Sequence, residues 1–392
     1  MKAPSRGFDQ SEFQMRLDRA QDLMNQHALD ALLLTTEPEI RWFTGFLTRF
    51  WESPTRPWFL IVPATGKPVA VIPSIGAHLM GQAWVEDIRC WQAPDLVDDG
   101  VSLLAETIHE IVGKSGRIGM PSGHETHIRM PANDLDRVKQ LCPSSNFGDD
   151  HQVMAQLRMV KSTAEIEKIR HACHIGAQTF ARMEQLPMLG QSHDAIIRDF
   201  QMIGLEEGAD WISYVATGLG PDGYGDVISP AGSTELQTGD ILMIDTGLVW
   251  DGYFCDFDRN YSIGRPARPS VHDSWKKLKE AVDEAMGMAR PGVTAANIFE
   301  IMRKIVSPSA SKTSAGRFGH GLGMQLTEWP SLINGDNTVL VDGMVLTLEP
   351  SIETVAGRML VHEENIVITA TGCDLLTPPA SNEIPVCGGV AT

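Results

Sequence analysis

The sequence predicts a two-domain protein of the α+β class, with a smaller α/β domain over residues 1–157 and a larger domain over residues 158–392. Its 392 residues exceed the length of one typical domain, and the hydrophobic fraction of 43% is enough to form real cores. Strand and helix patterns alternate over about the first 155 residues, which is typical of an α/β layer. In the second half they segregate into blocks, which indicates an α+β domain.

The first domain begins with an amphipathic helix. Ser11 and Gln14 form a possible capping box, and apolar residues then recur at helical spacing. Short apolar runs predict buried strands, and VSLLAETIHEIVGK predicts a helix between them. The strand candidates are ALDALLLTT, WFLIVPA, PVAVIPS and RIGMPS.

The second domain opens at another capping box, Ser162 and Glu165, which is followed by one apolar helix face. Two further helices are predicted near HDSWKKLKEAVDEAMGMA and TAANIFEIMRKIV, separated by Pro291 and Gly292. The remaining apolar runs predict strands: ATGLG, GDILMIDTGLVWDGYFCDFDRNYSIG, MVLTLEPSIET and MLVHEENIVIT.

The segment GFLTRFWESPTRPW is too rich in proline for a regular element. One interpretation is a loop clamped onto its own domain. The other is an aromatic and cationic loop that lines a pocket, in this subunit or its neighbour, with Trp51 and Arg56 as substrate-binding residues. The sequence leaves both interpretations open.

Composition and charge exclude several classes of function. The formal net charge of -18 argues against binding to nucleic acid or to anionic lipid, which require a basic surface. The six cysteines show no metal-finger spacing, which favours reduced thiols in a cytoplasmic protein. The apolar pattern predicts neither a signal peptide nor a membrane-spanning helix, which needs an apolar run of roughly 20 residues.

Acidic residues lie within apolar strands of the second domain, and one histidine lies among glycines. A carboxylate in such surroundings needs a cation, hydrogen bonds or a proton. Asp245 and Asp256 are eleven positions apart, and the turn signals at Gly247 and Asp251-Gly252 suggest a hairpin that brings them together. The candidate metal ligands are Asp245, Asp256, His320, Glu349 and Glu364.

This set of side chains predicts a site for two cations. Oxygen-rich ligation with one imidazole suits Mn, Fe, Co or Zn. Two divalent transition-metal ions about 3.5–4 Å apart would neutralise the carboxylates and could share a bridging hydroxide.

The five residues, in this order and context, resemble the metal ligands of the pita-bread metallohydrolases, peptidase family M24. IDTG followed by GYFCDFDRN resembles the family's Asp-x-Gly and Gly-Tyr-x-x-Asp block, and GHGLG resembles its Gly-His-Gly block. LTLEP resembles the Glu-Pro block, and Glu364-Asn365 resembles the family's last Glu-Asp or Glu-Asn pair. RMVKSTAEIEKIR is similar to the entry segment of prolidase-type members. The resemblance implies a pita-bread domain preceded by a creatinase-like N-terminal domain, in a homodimer.

The chain departs from the family at two histidines that are not ligands. One is expected about 17 or 18 positions before Asp245, where GYGDVISPAG contains none, and Thr327 stands where the other belongs. In the family these histidines bind the scissile carbonyl, and losing one such donor costs roughly 2.7–4 kcal/mol in enzymes that depend on it. The candidate replacements are His362, Tyr224, Asp226 and Asp258.

Asp258 replaces the serine or threonine that is usual in the family. It is interpreted as pairing with Arg259 or as an additional acid beside the site.

The resemblance implies a metal-dependent hydrolase of an amide-type C–N bond in a dipeptide, an Xaa-Pro peptide or a small peptide-like metabolite. A metal-bridging hydroxide would be the nucleophile, and Glu349 would act as both ligand and proton shuttle. Thr327 and Glu328 are expected to contact substrate. The alternatives are a metal-dependent lyase or C–N hydrolase acting on a small zwitterion, as in relatives such as creatinase and dimethylsulfoniopropionate lyase, and a binding protein without activity.

Overall fold

The computed structural model describes residues 2–53, 56–186, 188–308 and 316–388. The chain divides into two compact units. Ser5–Arg158 form the first, and Met159–Thr392 together with Met1–Pro4 form the second. None of the helices in the described residues has the length and apolar character that crossing a membrane requires.

The first unit contains a mixed sheet of six strands in the order β4-β3-β2-β1-β5-β6. The β1–β2 and β2–β3 pairs are antiparallel, and the other three pairs are parallel. The strands are β1 Ala31–Leu34, β2 Phe59–Pro63, β3 Val69–Pro73, β4 Asp87–Trp91, β5 Arg117–Met120 and β6 Asn146–Asp149. The first three strands are buried along their whole length, as their uninterrupted apolar runs predict.

The α-helices of this unit lie before, between and after its strands along the chain. They are α1 Gln10–Gln26, α2 Glu37–Thr44, α3 Ala77–Met80, α4 Val101–Val112, α5 Ala132–Leu141 and α6 Val153–Met159. Phe13, Leu17, Ala20 and Met24 form the buried face of α1, as their spacing predicts. The predicted cap is wrong, because α1 begins at Gln10 and Ser11 lies inside the helix.

The proline-rich segment packs against its own unit. Trp51 is 8% exposed, and its ring centroid lies 5.6 Å from that of Trp58 and 6.4 Å from that of Phe46. Arg129 lies over the Trp51 ring and donates a hydrogen bond to the carbonyl of Trp51. The indole therefore packs within its own unit, as the first interpretation expects, and its role in substrate binding stays a prediction. The guanidinium of Arg56 lies 5.5 Å from the Phe50 ring centroid.

The second unit contains two sheets of five strands and a two-stranded ribbon. One sheet has the order β18-β10-β8-β7 with β9 paired to β8, the other has the order β12-β11-β13-β16-β17, and β14 pairs with β15. The strands are β7 Trp211–Gly220, β8 Ile241–Trp250, β9 Tyr253–Phe254, β10 Phe257–Ile263, β11 His320–Gly321, β12 Glu328–Ser331, β13 Val345–Leu348, β14 Ser351–Val355, β15 Arg358–Val361, β16 Glu364–Ile368, β17 Cys373–Leu375 and β18 Val386–Cys387.

Four helices are described in this unit: α7 Thr163–Met183, α8 His193–Glu206, α9 Pro269–Met288 and α10 Ala295–Val306. The predicted capping box is confirmed, because Ser162 accepts from the backbone of Glu165 and the Glu165 side chain accepts from that of Ser162. One continuous apolar core includes Trp275 and Leu278 of α9, Phe299 of α10 and Leu346 of β13. This core supports the strands that carry the acidic residues.

Candidate metal centre

A hairpin places the two aspartates on one site, as their turn signals predict. Strand β8 ends in a turn at Asp251 and Gly252, whose φ angles of 47° and 76° match the tight turn that Asp-Gly favours. The chain returns through β9, which pairs with the end of β8, and then through β10. Asp256 lies between these two strands, and it lines the same cavity as Asp245.

Backbone contacts fix the position of Asp256. Its N–H donates to the side-chain oxygen of Asn365 at 3.0 Å, and the Asn365 amide donates back to the Asp256 carbonyl. Asn365 is fully buried in β16. This residue therefore ties the end of the hairpin to the second sheet.

His320 is positioned by strand pairing and by its glycine neighbours. Its Nδ1 lies 2.9 Å from the Gly321 carbonyl, so this nitrogen carries the proton and leaves Nε2 with a free lone pair. A Cβ at Gly321 would lie 1.9 Å from the Trp329 carbonyl. The close approach of strands β11 and β12 therefore requires glycine after the histidine.

Nε2 of His320 faces carboxylates. It lies 3.4 Å from Oδ2 of Asp256 and 3.9 Å from Oε1 of Glu349. Ligand atoms of Asp256, His320 and Glu363 all lie within 4.8 Å of one another, and all three residues are buried. Asp245 and Glu349 line the cavity beside them.

The structure corrects the last predicted ligand from Glu364 to Glu363. The Glu364 carboxylate accepts from Arg259 at 3.1 Å, from the Ala380 N–H at 2.8 Å and from Thr377. Successive side chains of an extended strand point to opposite sides, so only one of two adjacent glutamates can face the cluster. Glu363 is that residue. The two residues that correspond to the family's final pair are therefore Glu363 and Glu364, in place of Glu364 and Asn365.

The negative charges of the clustered carboxylates repel one another. Burial raises the pKa of Asp256, and the carboxylates of Asp245 and Glu349 raise it further. Burial likewise raises the pKa of Glu363 and Glu349, and the charge of Asp256 adds to the effect on Glu363. Burial lowers the pKa of His320, which keeps the imidazole neutral as a ligand requires.

These residues fit divalent metal ions. Oδ1 of Asp245 and Oε1 of Glu363 are buried and have no hydrogen-bond partner among the described residues. Buried oxygens without partners are costly, and a cation would satisfy them while neutralising the carboxylates. Four carboxylates and one imidazole form a donor set that suits first-row transition metals.

The cluster opens into a cavity of about 290 Å³. Its wall carries the apolar side chains of Val227, Ile228, Leu326, Met359 and Val361. Its polar lining, besides the acids and His320, consists of Tyr214, Arg317, Thr327 and Ser351. Thr327 therefore lies at the site, where the sequence placed it.

Two of the predicted catalytic residues lie behind the cluster. Tyr224 is 1% exposed; its hydroxyl accepts from the Val361 N–H at 2.6 Å and donates to Asn260. His362 is fully buried, packs against Trp275, and lies 3.7 Å from both Asp258 and Glu364. Burial lowers the pKa of His362 to about 3. Neither side chain lines the cavity, so the structure corrects both assignments.

Asp258 belongs to the same buried network. Its carboxylate accepts from the Glu363 N–H and from Asn260 at 2.6 Å, whereas Arg259 donates only to its backbone carbonyl. The predicted side-chain pairing with Arg259 is therefore wrong, since Arg259 forms its ion pair with Glu364. Asp258 instead holds the backbone of Glu363, and burial raises its pKa to about 8.

Asp226 and Glu328 shape the cavity wall from outside it. The exposed Asp226 carboxylate accepts from the N–H groups of Ile228 and Ser229, which forms a turn in the loop that carries Ile228. Glu328 is 3% exposed; it bonds to Lys161 at 3.0 Å and accepts from the Gln325 N–H. Both carboxylates organise loops, which corrects their assignment as catalytic and substrate-binding residues.

Sequence reasoning missed Glu363, Arg317 and Tyr214 as site residues, and it did not predict that Asn365 holds the backbone of Asp256. The sequence shows two adjacent glutamates after His362. Only the direction in which each side chain points from the extended backbone distinguishes the ligand from its neighbour. Arg317 stands three positions before His320, a spacing that carries no signal in an irregular segment. Tyr214 lies on β7, which pairs with β8, and only that pairing brings it beside Asp245.

A cavity lined by three carboxylates and one imidazole, with the buried carboxylate of Glu363 beside them, defines this α+β chain as a metalloenzyme by its fold and site. Residues 167–370 match the model of metallopeptidase family M24, and residues 16–160 match that of the creatinase/prolidase N-terminal domain. The chain belongs to metallopeptidase family M24 and has the pita-bread fold of that family.

The chain is similar to several peptidases. It is 28% identical over 369 residues to a probable dipeptidase PepE of Mycobacterium tuberculosis. The alignment covers 93% of this chain and 94% of the relative. The structure of dipeptidase PepE from Mycobacterium ulcerans has a TM-score of 0.83 and 27% identity, and covers 98% of this chain and 100% of that one. The prolidase from Thermococcus sibiricus has a TM-score of 0.84 at 22% identity, with 97% and 99% covered, which shows the shared fold alone.

The raised carboxylate pKa values predict a stability that depends on pH and metal. Burial raises the pKa of Asp245 from 3.8 to about 7 and that of Asp258 to about 8. The folded chain therefore holds more protons than the unfolded chain between pH 3.8 and about 8, so these groups lose stabilising effect as the pH rises. Metal binding requires the deprotonated ligands, so its stabilisation grows over the same range.

We expect manganese to raise the melting temperature of chelator-treated protein more at pH 8 than at pH 5. Thermal unfolding at both pH values, with and without the metal, measures this difference. An increment that is equal at the two pH values, or larger at pH 5, would contradict the linkage.

Proposed function

We propose that this chain hydrolyses the peptide bond of dipeptides, including Xaa-Pro dipeptides, with two divalent transition-metal ions. Asp245, Asp256, His320, Glu349 and Glu363 would hold the ions. The supporting observation is the convergence of these five side chains on one cluster, in which two buried carboxylate oxygens have no partner among the described residues. The similarity to dipeptidases over nearly the whole chain supports the same substrate class.

The ions, when bound, supply Lewis-acid chemistry that activates water and polarises a carbonyl group. The chain's own residues hold the substrate and move protons. Glu349 has a side chain that is 21% exposed on the cavity wall, which suits an acid–base role as well as ligation. Its backbone N–H donates to the Phe318 carbonyl at 3.1 Å, which fixes its position after β13.

The two absent family histidines leave other donors on the wall. His320 is the single histidine of the described residues that lines the cavity. Arg317, Thr327 and Ser351 are the lining side chains that can donate a hydrogen bond toward a bound carbonyl. The Tyr214 hydroxyl donates to the Val227 carbonyl at 3.1 Å, which ties it to the loop that carries Ile228.

The cavity volume is compatible with a short substrate. About 290 Å³ is at the lower end of the roughly 300–1,000 Å³ typical of small-molecule sites. The apolar wall suits the aliphatic side chains of a dipeptide. We also propose a homodimer, which light scattering coupled to size exclusion would test.

Metal removal tests the proposed function. We expect the purified protein to release amino acids from at least one member of a panel containing Ala-Pro, Leu-Pro, Ala-Leu and Leu-Gly. Chelation should abolish this release because the carboxylate cluster then lacks its cations, and manganese or cobalt should restore it. Amino-acid release and metal content are measured on the same samples.

The panel also contains creatine and small betaines as controls for other chemistry. Turnover that survives complete removal of metal would overturn the proposal. Elimination products from a betaine without hydrolysis of any dipeptide would do the same.

A further inference from the structure

A second cavity lies in the same unit as the metal centre. Its volume is about 360 Å³, within the roughly 300–1,000 Å³ typical of small-molecule sites, and it shares no lining residue with the cavity of the metal centre. Side chains of α7, β10 and α9 and the segment 378–381 form most of its wall. The proposed hydrolysis uses none of these side chains, so it leaves this cavity without a role.

Apolar side chains form most of the wall of this second cavity. Phe257 and Tyr261 of β10 and Trp275 of α9 line it and are almost fully buried. Pro378 and Pro379, which are exposed, line it as well. Burial of apolar surface against such a wall is favourable, so a ligand that fits it carries an apolar group.

One carboxylate on the wall has no partner. Glu184 follows the last residue of α7, and its carboxylate forms no ion pair or hydrogen bond with any residue that the structure describes. The residue is exposed, so a ligand can reach it. Burial raises the pKa of Glu184, and the charge of Arg259 opposes that rise. An ammonium group would complement this carboxylate through a charge-assisted hydrogen bond.

Arg259 supplies the opposite charge on the same wall. Its two terminal nitrogens donate to the carboxylate of Glu364 and to three carbonyls, those of Asp258, Glu363 and Pro378. These bonds leave the Nε–H of Arg259 without a partner among the described residues. A carboxylate is the acceptor that best matches this remaining donor.

We propose that this second cavity binds a free amino acid with an apolar side chain. Its ammonium group pairs with Glu184, its carboxylate accepts from Nε of Arg259, and its side chain packs against the apolar wall. Glu184 and Arg259 interact electrostatically without forming an ion pair, so a zwitterion between them complements both. Amino acids are also the products of dipeptide hydrolysis. That link rests on the proposed function, whereas the binding site does not.

Calorimetric titration of the full chain with L-leucine tests the site. The titration is repeated with N-acetyl-L-leucine, which lacks the ammonium group, and with L-leucinamide, which lacks the carboxylate. The carboxylate is removed from the ligand because substituting Arg259 would break its ion pair with Glu364. Each titration is run on the holoenzyme and again with chelator, since an amino acid bound at the metal centre depends on the ions.

Two substitutions change the cavity itself. Glu184→Gln removes the carboxylate at nearly constant size, and Ala181→Trp fills space at an exposed lining position of α7. Glu167→Gln is the matched control for the loss of charge. Glu167 is an exposed acid on the same helix and does not line the cavity.

We expect one L-leucine binding event that chelator does not remove. Glu184→Gln should weaken it by roughly 10- to 100-fold, as the loss of a hydrogen bond to a charged group implies, and Ala181→Trp should abolish it. In wild type, N-acetyl-L-leucine and L-leucinamide should each bind more weakly than L-leucine by a similar factor. N-acetyl-L-leucine should lose nothing further in Glu184→Gln, because both changes remove the same contact. Glu167→Gln should bind L-leucine as wild type does.

Three results would overturn the inference. Absence of L-leucine binding in the presence of chelator would mean that the metal centre is the amino-acid site. Unchanged affinity in Glu184→Gln would exclude its carboxylate as the ammonium partner, and equal affinity for L-leucine and L-leucinamide would exclude recognition of a zwitterion. If Glu184→Gln does not fold, the comparison of L-leucine with N-acetyl-L-leucine on wild type decides the question. Absence of dipeptide hydrolysis would contradict the proposed function and leave these titrations unaffected, so the two failures are distinguishable.

Discussion

Glu363→Gln is expected to lower metal content by at least one ion per chain and to abolish dipeptide hydrolysis. Its carboxylate lies within 4.8 Å of ligand atoms of Asp256 and His320, and Oε1 is buried without a partner among the described residues. A neutral amide is a poor ligand for such ions. The loss should exceed the roughly 10–100-fold that removal of an outer-shell partner costs. Metal analysis and kinetics on the purified variant measure both effects.

The stability of the metal-free Glu363→Gln protein should equal or exceed that of metal-free wild type. Burial and the neighbouring carboxylates already oppose the charge of Glu363. Removing that charge relieves the repulsion without breaking an ion pair. Chemical denaturation in the presence of chelator measures the difference in the free energy of unfolding.

Glu364→Gln is the matched comparison, and it should behave in the opposite way. Its carboxylate is 2% exposed and pairs with Arg259 at 3.1 Å. Breaking a buried ion pair costs roughly 3–5 kcal/mol, so stability should fall while metal content per folded chain is retained. If Glu364→Gln loses the metal and Glu363→Gln keeps it, the correction made from the structure is wrong.

The order of elements was predictable because their local signals are strong. Apolar runs of four or five residues predict β1, β2 and β3, and the capping box at Ser162 predicts the start of α7. The Asp251-Gly252 turn predicts the hairpin that joins Asp245 to Asp256. Each of these features depends on residues that are close in sequence.

Side-chain direction was not predictable at the positions where adjacent residues compete. Glu363 and Glu364 are both acidic and both buried, so composition cannot show which of them faces the cluster. The choice follows from contacts with Arg259 and Thr377, which come from distant parts of the chain. The same reason explains why His362 was misassigned, since its neighbours Asp258 and Trp275 are also distant in sequence.

Distant pairing also created the network behind the site. Tyr224 bonds to the Val361 N–H, Asn260 bonds to the Val361 carbonyl, and Asp258 bonds to the Glu363 N–H. The loop after β7 and strand β10 thus hold the backbone at Val361 and at the ligand Glu363. A buried network of this kind positions a ligand without touching substrate, which is why residues that looked catalytic in the sequence act as supports.

Glu349→Gln is expected to lower kcat by roughly 10²- to 10⁴-fold, the range that general acid–base catalysis contributes. Glutamine keeps the size of the side chain, but it cannot hold or transfer a proton. Oε1 of Glu349 lies at the cavity wall, 3.9 Å from Nε2 of His320 and 3.7 Å from Nε of Arg317. The substitution therefore removes a carboxylate at the reacting centre. Folding should be intact, because burial already raises the pKa of Glu349 and so opposes its charge.

Glu353→Gln is the control for this substitution, because Glu353 is an exposed acid on the neighbouring strand β14. It should retain wild-type kcat, metal content and melting temperature. Metal content separates the two roles of Glu349: a variant that keeps both ions but loses turnover has lost the proton shuttle, and one that loses an ion has lost a ligand. Full turnover by Glu349→Gln at normal metal content would show that the proton moves through another group.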